Sequence, residues 1–280
     1  MPVKARGRRW GAERVGRTLG RAAAILSLGA ALCTAQTPPP QAQGYRLDFN
    51  EEFDKPDIAV GGIKTHTWYR GVWFSQQVAP PANIYWEQSK LSLLWTRAQG
   101  GVDTSITTLS PDKKHRRAWR YGYFEARLRW DPVKGAWPAF WLIPVQDATG
   151  QNYYGGVKRS GELDVYEGQG DRPHTFYGTL HEWINSHEDH ASRNNYFPLP
   201  SNADPAQFHT YGALWTPGHV TWYFDDHPLH TEPTPEVFDR QDFFLVLTMQ
   251  AGVNWRVGDL SGVDANRMKM DVDWVRVWQK

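Results

Sequence analysis

With 280 residues, the chain is long enough for one large β domain or two small ones. Residues 1–35 hold seven of the 31 basic residues and one of the 30 acidic residues, so the remainder has 24 basic and 29 acidic residues, a net charge of −5. This mildly acidic balance argues against nucleic acid and anionic lipid surfaces as partners, since both are bound through an excess of Lys and Arg.

Residues 1–35 have the pattern of a secretory signal peptide. A basic start is followed by an apolar run over residues 22–32 and then by small residues, which predicts cleavage near Ala35. The apolar run is shorter than a membrane span requires. We therefore expect export to the periplasm or the medium, with no membrane span in the mature protein.

Two other interpretations of this leader stay open. Arg8 and Arg9 match the paired arginines of a twin-arginine signal, although the apolar surroundings of that signal are poorly matched. Cys33 permits a lipid anchor, which Leu32 disfavours because a small residue is expected before a lipidated cysteine. Cys33 is the only cysteine in the chain, so removal of the leader leaves no disulfide bond and no thiol chemistry.

A proline-rich, uncharged spacer follows at residues 36–43. Such a segment cannot build a core and is expected to be extended. Residues 44–280 contain no second linker, no internal repeat and no convincing helical period, so we predict one domain there.

Short alternating runs separated by Gly, Pro, Asn and Asp predict an all-β, antiparallel sandwich for this domain. In the clearest run, residues 121–130, we expect one face in the core and the other in solvent. The core face holds Phe124, Ala126, Leu128 and Trp130, and the solvent face holds Tyr123, Glu125, Arg127 and Arg129. The other predicted strands are residues 45–53, 89–95, 135–144, 161–167, 175–183, 208–218, 220–226, 243–252 and 268–278.

Alternation within residues 135–144 separates two tryptophans from the core. Phe140 and Leu142 lie on one side of the predicted strand, and Trp137 and Trp141 lie on the other. If the first pair packs in the core, both indole rings face a groove, where flat rings can stack on sugars. The alternative is that both indoles are buried. Residues 146–160 are expected to form a loop over the groove.

Three acidic residues stand out in the predicted strand 161–167. Glu162 and Asp164 share one face, whereas Glu167 would point the opposite way in an unbroken strand. A β-bulge at Val165 and Tyr166 would return Glu167 to the acidic face. Clustered carboxylates cost stability and raise at least one pKa, which favours a chemical role. Retaining glycoside hydrolysis uses two of them, one ionised and one protonated, about 5–5.5 Å apart.

The spacing E-x-D-x-x-E resembles the catalytic motif of glycoside hydrolase family 16, in the bulged form found in laminarinases, agarases and carrageenases. The tryptophan segment and the final strand also occur in that family's order. The resemblance implies a bent jelly roll with a concave substrate groove, Glu162 as the nucleophile, Glu167 as the acid/base, and Asp164 as the neighbour that tunes Glu162. The alternative for these three residues is a solvated acidic edge strand.

Further residues are candidates for ligand contacts. His181 shares a face with Trp183, and if that face lines the groove His181 can reach a sugar or Asp164; a histidine in the core is the alternative. Trp255 is a candidate stacking residue, with a buried indole as the alternative. Residues 187–200 are polar and predict a loop, in which residues 187–190 are rich in His and acids but match no metal motif. Residues 113–117 are most simply a solvated basic turn.

Many members of the family bind a structural calcium on the convex side of the fold. The resemblance implies that Asp273 in the last strand supplies the carboxylate ligand and that backbone carbonyls supply the rest. No cofactor is expected for catalysis.

The expected function is retaining endo-hydrolysis of β-1,3- or mixed β-1,3/1,4-glucan by a monomeric enzyme whose partner is the polysaccharide. One rival hypothesis changes the substrate to a galactan such as agarose, porphyran or carrageenan, for which the basic residues 113–117 are better suited. The other is a carbohydrate-binding module on the same fold without turnover, because a fold alone does not establish activity.

Overall fold

The structure is a computed structural model that describes residues 37–59, 65–75, 77–154, 156–185, 189–254, 256–263 and 265–280. The predicted leader, residues 1–35, lies outside the described residues. Within them, none of the helices is both long and apolar enough to cross a membrane.

The described residues are mostly β-strand, as the alternating sequence predicts. The strands are β1 (Arg46–Glu51), β2 (Ile58–Ala59), β3 (Trp68–Arg70), β4 (Ile84–Trp86), β5 (Leu91–Thr96), β6 (Thr104–Thr107), β7 (Gly122–Trp130), β8 (Ala136–Pro144), β9 (Tyr153–Tyr154), β10 (Val157–Gly168), β11 (Thr175–Ile184), β12 (Asp189–Pro198), β13 (His209–Thr216), β14 (His219–Phe224), β15 (His227–Pro233), β16 (Phe243–Val253), β17 (Arg256–Val257) and β18 (Arg267–Gln279). The helical segments are α1 (Val145–Thr149) and the 3₁₀ turns Pro40–Ala42, Pro81–Asn83, Arg97–Gln99 and Glu236–Arg240.

These strands form two sheets that pack as a sandwich, which confirms the predicted fold class. The back sheet has the order β15-β14-β13-β7-β18-β5-β4, with β1 also paired to β18. The front sheet has the order β12-β11-β10-β8-β16-β6-β3-β2, with β9 on β10 and β17 on β16. Among the described pairs, only β2 and β3 run parallel. The strand that carries the acidic motif, β10, therefore lies inside the front sheet with a partner on each side.

Aromatic side chains make up much of the core between the sheets. Trp68, Trp95, Trp215 and Trp222 are each 0% exposed. Trp215, for example, meets Phe243 edge to face, at a centroid distance of 4.9 Å and an interplanar angle of 70°. The chain has 15 tryptophans, of which these four stabilise the fold and only others are available to line a site.

The predicted solvent face of β7 is wrong for two of its four residues. Phe124, the expected core residue, is buried, but Tyr123 and Glu125 are buried too, at 0% and 3% exposure. Trp278 covers Glu125 and donates from Nε1 to its Oε1 at 2.7 Å. Burial raises the pKa of the Glu125 carboxyl to about 7. The outer surface of the back sheet is therefore partly covered by chain segments distant in sequence.

One of those segments is the proline-rich stretch, which is not the extended spacer that its composition predicts. Pro40–Ala42 forms a 3₁₀ turn, and Ala42 is 0% exposed in a cluster with Tyr123 and Trp278. Gln41 donates from Nε2 to the hydroxyl of Tyr123 at 2.7 Å and to Asp226 Oδ1 at 2.9 Å. The buried side chain of Ala42 and the hydrogen bonds of the Gln41 amide therefore hold this segment against the back sheet.

Two segments predicted as loops contain regular structure. Within the predicted loop 187–200, Asp189–Pro198 form β12, which pairs with β11 along its whole length, from Thr175 opposite Pro198 to Ile184 opposite Asp189. The segment 146–160 includes most of α1, the short strand β9 and the start of β10. The hairpin turn after β14 is formed by Asp225 and Asp226, whose φ angles of 44° and 65° lie in the left-handed region that Asp adopts more easily than most residues.

We expect Gln41→Ala to lower the free energy of unfolding by about 1–2 kcal/mol, because it removes the hydrogen bonds of the Gln41 amide to the buried hydroxyl of Tyr123 and to Asp226. That corresponds to a fall in Tm of roughly 2–8 °C for a domain of this size. Thermal unfolding measures the change, with the exposed neighbour Gln43→Ala as the matched control. Equal Tm values for the two variants would contradict the attachment of this segment.

Candidate active site

A β-bulge in β10 places all three motif carboxylates on one surface. The pairing of β10 with β11 shifts register between Asp164 and Glu167, and its pairing with β8 shifts between Asp164 and Tyr166. Val165 and Tyr166, adjacent in sequence, are both buried, at 0% and 1% exposure. Because the extra residue points inward, Glu167 returns to the face of Glu162 and Asp164, and the predicted bulge is confirmed.

Packing between the sheets holds the bulge in place. Trp222 of the back sheet donates from Nε1 to the backbone oxygen of Asp164 at 2.9 Å. The indole fits because position 178 on β11 is glycine, where a Cβ would lie 2.4 Å from Trp222 Nε1. Tyr166 packs on Tyr211 with ring centroids 4.1 Å apart. The apolar residues within the motif therefore anchor the strand while the acidic residues face outward.

The outward face opens into a cleft of about 800 Å³. Its floor carries Glu162, Asp164 and Glu167, and its walls are rich in aromatic side chains. The aromatic lining residues are Trp73, Phe74, Trp137, Trp141, Tyr177, Trp183 and Tyr196, and the remaining polar ones are Asp147, His181, His190, Ser192, Asn194 and Gln250. Flat apolar walls around a few polar groups suit a sugar chain, whose ring faces are apolar and whose edges carry hydroxyls.

Both predicted groove tryptophans line the cleft, as alternation within residues 135–144 predicts. Phe140 and Leu142 are 0% exposed on the core side of β8. Trp137 donates from Nε1 to Glu167 Oε1 at 3.0 Å, and Trp141 donates to Thr248 Oγ1 at 3.0 Å. Trp137 therefore also orients one of the carboxylates, a contact that the sequence does not reveal.

The other carboxylates have partners on β11. Trp183 donates from Nε1 to Glu162 Oε2 at 2.8 Å. His181 Nε2 lies 2.9 Å from Asp164 Oδ2. Among the described residues no hydrogen bond of good geometry reaches Oδ2, and this imidazole is the polar group in contact with it. The sequence allows His181 to lie either in the groove or in the core. The structure places it in the cleft, beside Asp164.

Burial is the largest influence on the acidity of the three carboxyl groups. It raises the pKa of Glu162, of Asp164 and of Glu167 to about 8 in each case. The nearby Asp164 charge raises the pKa values of both glutamates further, whereas the indole N–H groups and His181 lower them. The effects that raise these pKa values outweigh those that lower them, so the site retains protons at neutral pH. A carboxylic acid that can donate a proton is therefore available.

Two groups of residues bear on metal binding. Glu162, Asp164 and His181 offer ligand atoms within 4.8 Å of one another. In the same cluster His181 Nε2 lies 2.9 Å from Asp164 Oδ2, a spacing that also suits a hydrogen-bonded pair. Because both acids belong to the E-x-D-x-x-E motif, whose spacing suits proton transfer, we assign this cluster to proton chemistry.

The surroundings of Asp273, the predicted calcium ligand, do not fit a calcium site. Its carboxylate is paired with the guanidinium of Arg127 across the back sheet. The neighbouring Asp271 is contacted by Arg129 and Lys269, each at 3.0 Å. Side-chain cations already neutralise both acids, whereas calcium requires six to eight oxygen ligands.

Sequence reasoning missed one wall of the cleft and part of another. His190, Ser192, Asn194 and Tyr196 alternate along β12 and all line the cleft, in a segment predicted to be a loop. Phe74, 58% exposed, and Trp73 come from a stretch with no alternating pattern. The period of two from 190 to 196 was the available signal for β12. The predicted stacking residue Trp255 lies outside the described residues.

Comparisons with known proteins agree with this geometry. The sequence model of the glycosyl hydrolases family 16 matches residues 73–276. A glucan endo-1,3-beta-glucosidase of Cryptopygus antarcticus is 32% identical over 222 residues, which cover 70% of this chain and 77% of that protein. A beta-glucanase of Rhodothermus marinus is 30% identical, with 58% of each chain covered, so the aligned part spans little more than half of that relative.

A solved structure agrees at the level of the fold. The catalytic domain of an endo-1,3-beta-glucanase (laminarinase) from Thermotoga petrophila RKU-1 superposes with a TM-score of 0.64. The match covers 84% of this chain and 98% of that domain at 21% sequence identity.

We expect Glu167→Gln to raise Tm at alkaline pH but not at acidic pH. Burial raises the pKa of Glu167 from 4.5 to about 8, so its contribution to stability is present below about pH 4.5 and is lost as the pH rises towards 8. Glutamine cannot ionise and escapes that loss. Each kcal/mol recovered corresponds to roughly 2–4 °C.

Thermal unfolding between about pH 4 and pH 9 tests this expectation, with the exposed Glu87→Gln as the matched control. A Tm difference between Glu167→Gln and the parent that stays constant across that range would contradict the raised pKa.

Proposed function

This chain belongs to the glycosyl hydrolases of family 16, and from that premise we propose that it is an endo-acting β-glucan hydrolase that works by retaining double displacement. The membership confirms the family predicted from the motif, and the named relatives support the predicted class of glycoside hydrolase. The observation that carries the proposed mechanism is the bulge in β10, which gathers Glu162, Asp164 and Glu167 on the floor of an aromatic cleft.

In the proposed mechanism the two glutamates have different tasks. Glu167, protonated, donates its proton to the departing glycosidic oxygen while ionised Glu162 attacks the anomeric carbon and forms a glycosyl-enzyme ester. Glu167 then removes a proton from water, which attacks the same carbon and releases the sugar and the Glu162 carboxylate. The N–H groups of Trp137 and Trp183 hold the two carboxylates in orientation.

The surroundings of the carboxylates support this division of labour. Because both glutamates are partly buried beside Asp164, they do not readily ionise together, and one proton is retained for the leaving group. His181 next to Asp164 places a hydrogen-bonding group near the centre of the three. A carbohydrate-binding module gains nothing from three carboxyl groups with raised pKa values, which counts against the non-catalytic rival.

For the substrate we propose β-1,3- or mixed β-1,3/1,4-glucan. Two of the relatives are named for glucan cleavage. No Lys or Arg is found among the described residues that line the cleft, and the basic turn at 113–117 is not part of the lining. Sulfated galactans would require cations along their path, so an uncharged glucan suits this surface better.

We expect Glu162→Gln and Glu167→Gln each to lower the release of reducing ends from laminarin by roughly three orders of magnitude or more. Azide distinguishes the two tasks on an activated aryl glycoside. It should restore Glu162→Ala with an α-glycosyl azide product and Glu167→Ala with a β-glycosyl azide product.

Glu87→Gln, an exposed change on another part of the surface, is the matched control and should keep parental activity. Inactivity of the folded parent on laminarin and mixed-linkage glucan, together with activity on agarose or carrageenan, would replace the glucan by a galactan. Inactivity on all of them would contradict the enzyme assignment.

We also propose that residues 1–35 direct export and are removed near Ala35, on the support of their basic, apolar and small-residue order. The mass of the chain recovered from the periplasm or medium of an expressing host tests this. Loss of these residues is expected, and recovery at full-length mass would contradict it.

A further inference from the structure

A chain of polar contacts leads from buried Asp164 to the wall of the cleft. His181 Nε2 lies 2.9 Å from Asp164 Oδ2, and His181 Nδ1 lies 2.6 Å from His190 Nε2. The two imidazole planes differ by 18°, with centroids 4.9 Å apart, so the rings meet nearly edge to edge. Asp164 is 2% exposed, whereas His190 is exposed on β12. His190 is thus the outer end of this chain.

His190 also contacts the partner of Glu162. Its ring stacks on the indole of Trp183 at a centroid distance of 3.8 Å and an angle of 10°. The stack follows from the register of β11 and β12, which places Trp183 opposite His190. Trp183 in turn donates to Glu162 Oε2 at 2.8 Å. One side chain on β12 therefore touches both residues that hold the carboxyl groups of Glu162 and Asp164.

The short contact between the two rings constrains their protons. Two ring nitrogens 2.6 Å apart must share one hydrogen, because two N–H groups would clash and two bare nitrogens would repel. If His190 Nε2 carries that hydrogen, His181 Nδ1 is the acceptor. A neutral His181 then carries its own proton on Nε2, where it faces Asp164.

We propose that His190 is a positioning residue for the hydrolysis, which fixes the proton of His181 on the nitrogen that faces Asp164. This inference rests on the proposed function of the site and adds a residue that the carboxylate motif does not contain. Without His190, the proton of His181 is free to move to Nδ1. Nε2 then has no hydrogen to offer the Asp164 carboxyl group when that group is ionised, and Asp164 lies between the two glutamates.

Three substitutions separate the two contacts of His190. Glutamine keeps a donor near the position of Nε2 but loses the aromatic ring, phenylalanine keeps the stack on Trp183 but has no donor, and alanine keeps neither. His219→Ala, an exposed histidine on β14 of the back sheet, is the matched control. The test is to determine kcat and KM on laminarin for all four variants, with thermal unfolding as a check on folding.

We expect kcat to fall roughly tenfold in His190→Ala and His190→Phe, the loss that corresponds to one hydrogen bond, with KM within about twofold of the parent. His190→Gln should recover most of kcat, and His219→Ala should match the parent. A rise in KM with unchanged kcat would make His190 a substrate contact only and overturn the proposal. Recovery by phenylalanine instead of glutamine would assign the effect to the stack and overturn it as well.

A second measurement does not depend on turnover. Long-range ¹H–¹⁵N correlation spectra of the full chain report which nitrogen of His181 is protonated, with His181→Gln to assign the signals. The parent and His190→Gln should have the proton on Nε2, and His190→Phe should gain the Nδ1 form. The same tautomer in all three would overturn the proposal. An inactive parent with the expected spectra would instead contradict only the proposed function.

Discussion

The bulge at Val165 and Tyr166 is the constraint on which the rest of the site depends. A strand alternates its side chains, so the spacing of Glu162, Asp164 and Glu167 cannot serve one surface unless an extra residue interrupts the period. The structure provides that interruption by burying both adjacent apolar side chains and by tying the carbonyl of Asp164 to Trp222 on the opposite sheet. The core of the sandwich and the chemistry of the cleft are therefore fixed by the same residues.

This arrangement has a cost in stability that explains the surroundings of the acids. Burial raises the pKa values of all three carboxyl groups, and the charge of Asp164 raises the pKa values of both glutamates further. Indole N–H groups from Trp137 and Trp183 and the imidazole of His181 partly offset that cost. The groups that lower the cost are also the groups that orient the carboxylates, so positioning and partial neutralisation are provided by the same contacts.

Much of the site could be predicted because it is encoded in local periodicity. Alternation separates Trp137 from Phe140, and the acidic spacing demands the bulge. The rest depends on contacts between distant segments. Glu125 is buried beneath Trp278, and Tyr123 beneath the segment around Ala42, which composition marks as a spacer. The wall formed by β12 contains Ser192 and Asn194, residues of low strand propensity, and it forms because β11 offers a complete edge for pairing.

The anomeric configuration of the first product tests the central claim most directly. Two carboxyl groups gathered by the bulge should act by double displacement, so ¹H NMR of laminarin hydrolysis, recorded before mutarotation, should show the β-anomer forming first. Initial formation of the α-anomer would mean a single displacement by water. That result would contradict the assignment of Glu162 as a nucleophile and the claim that the bulge gathers two carboxyl groups for double displacement.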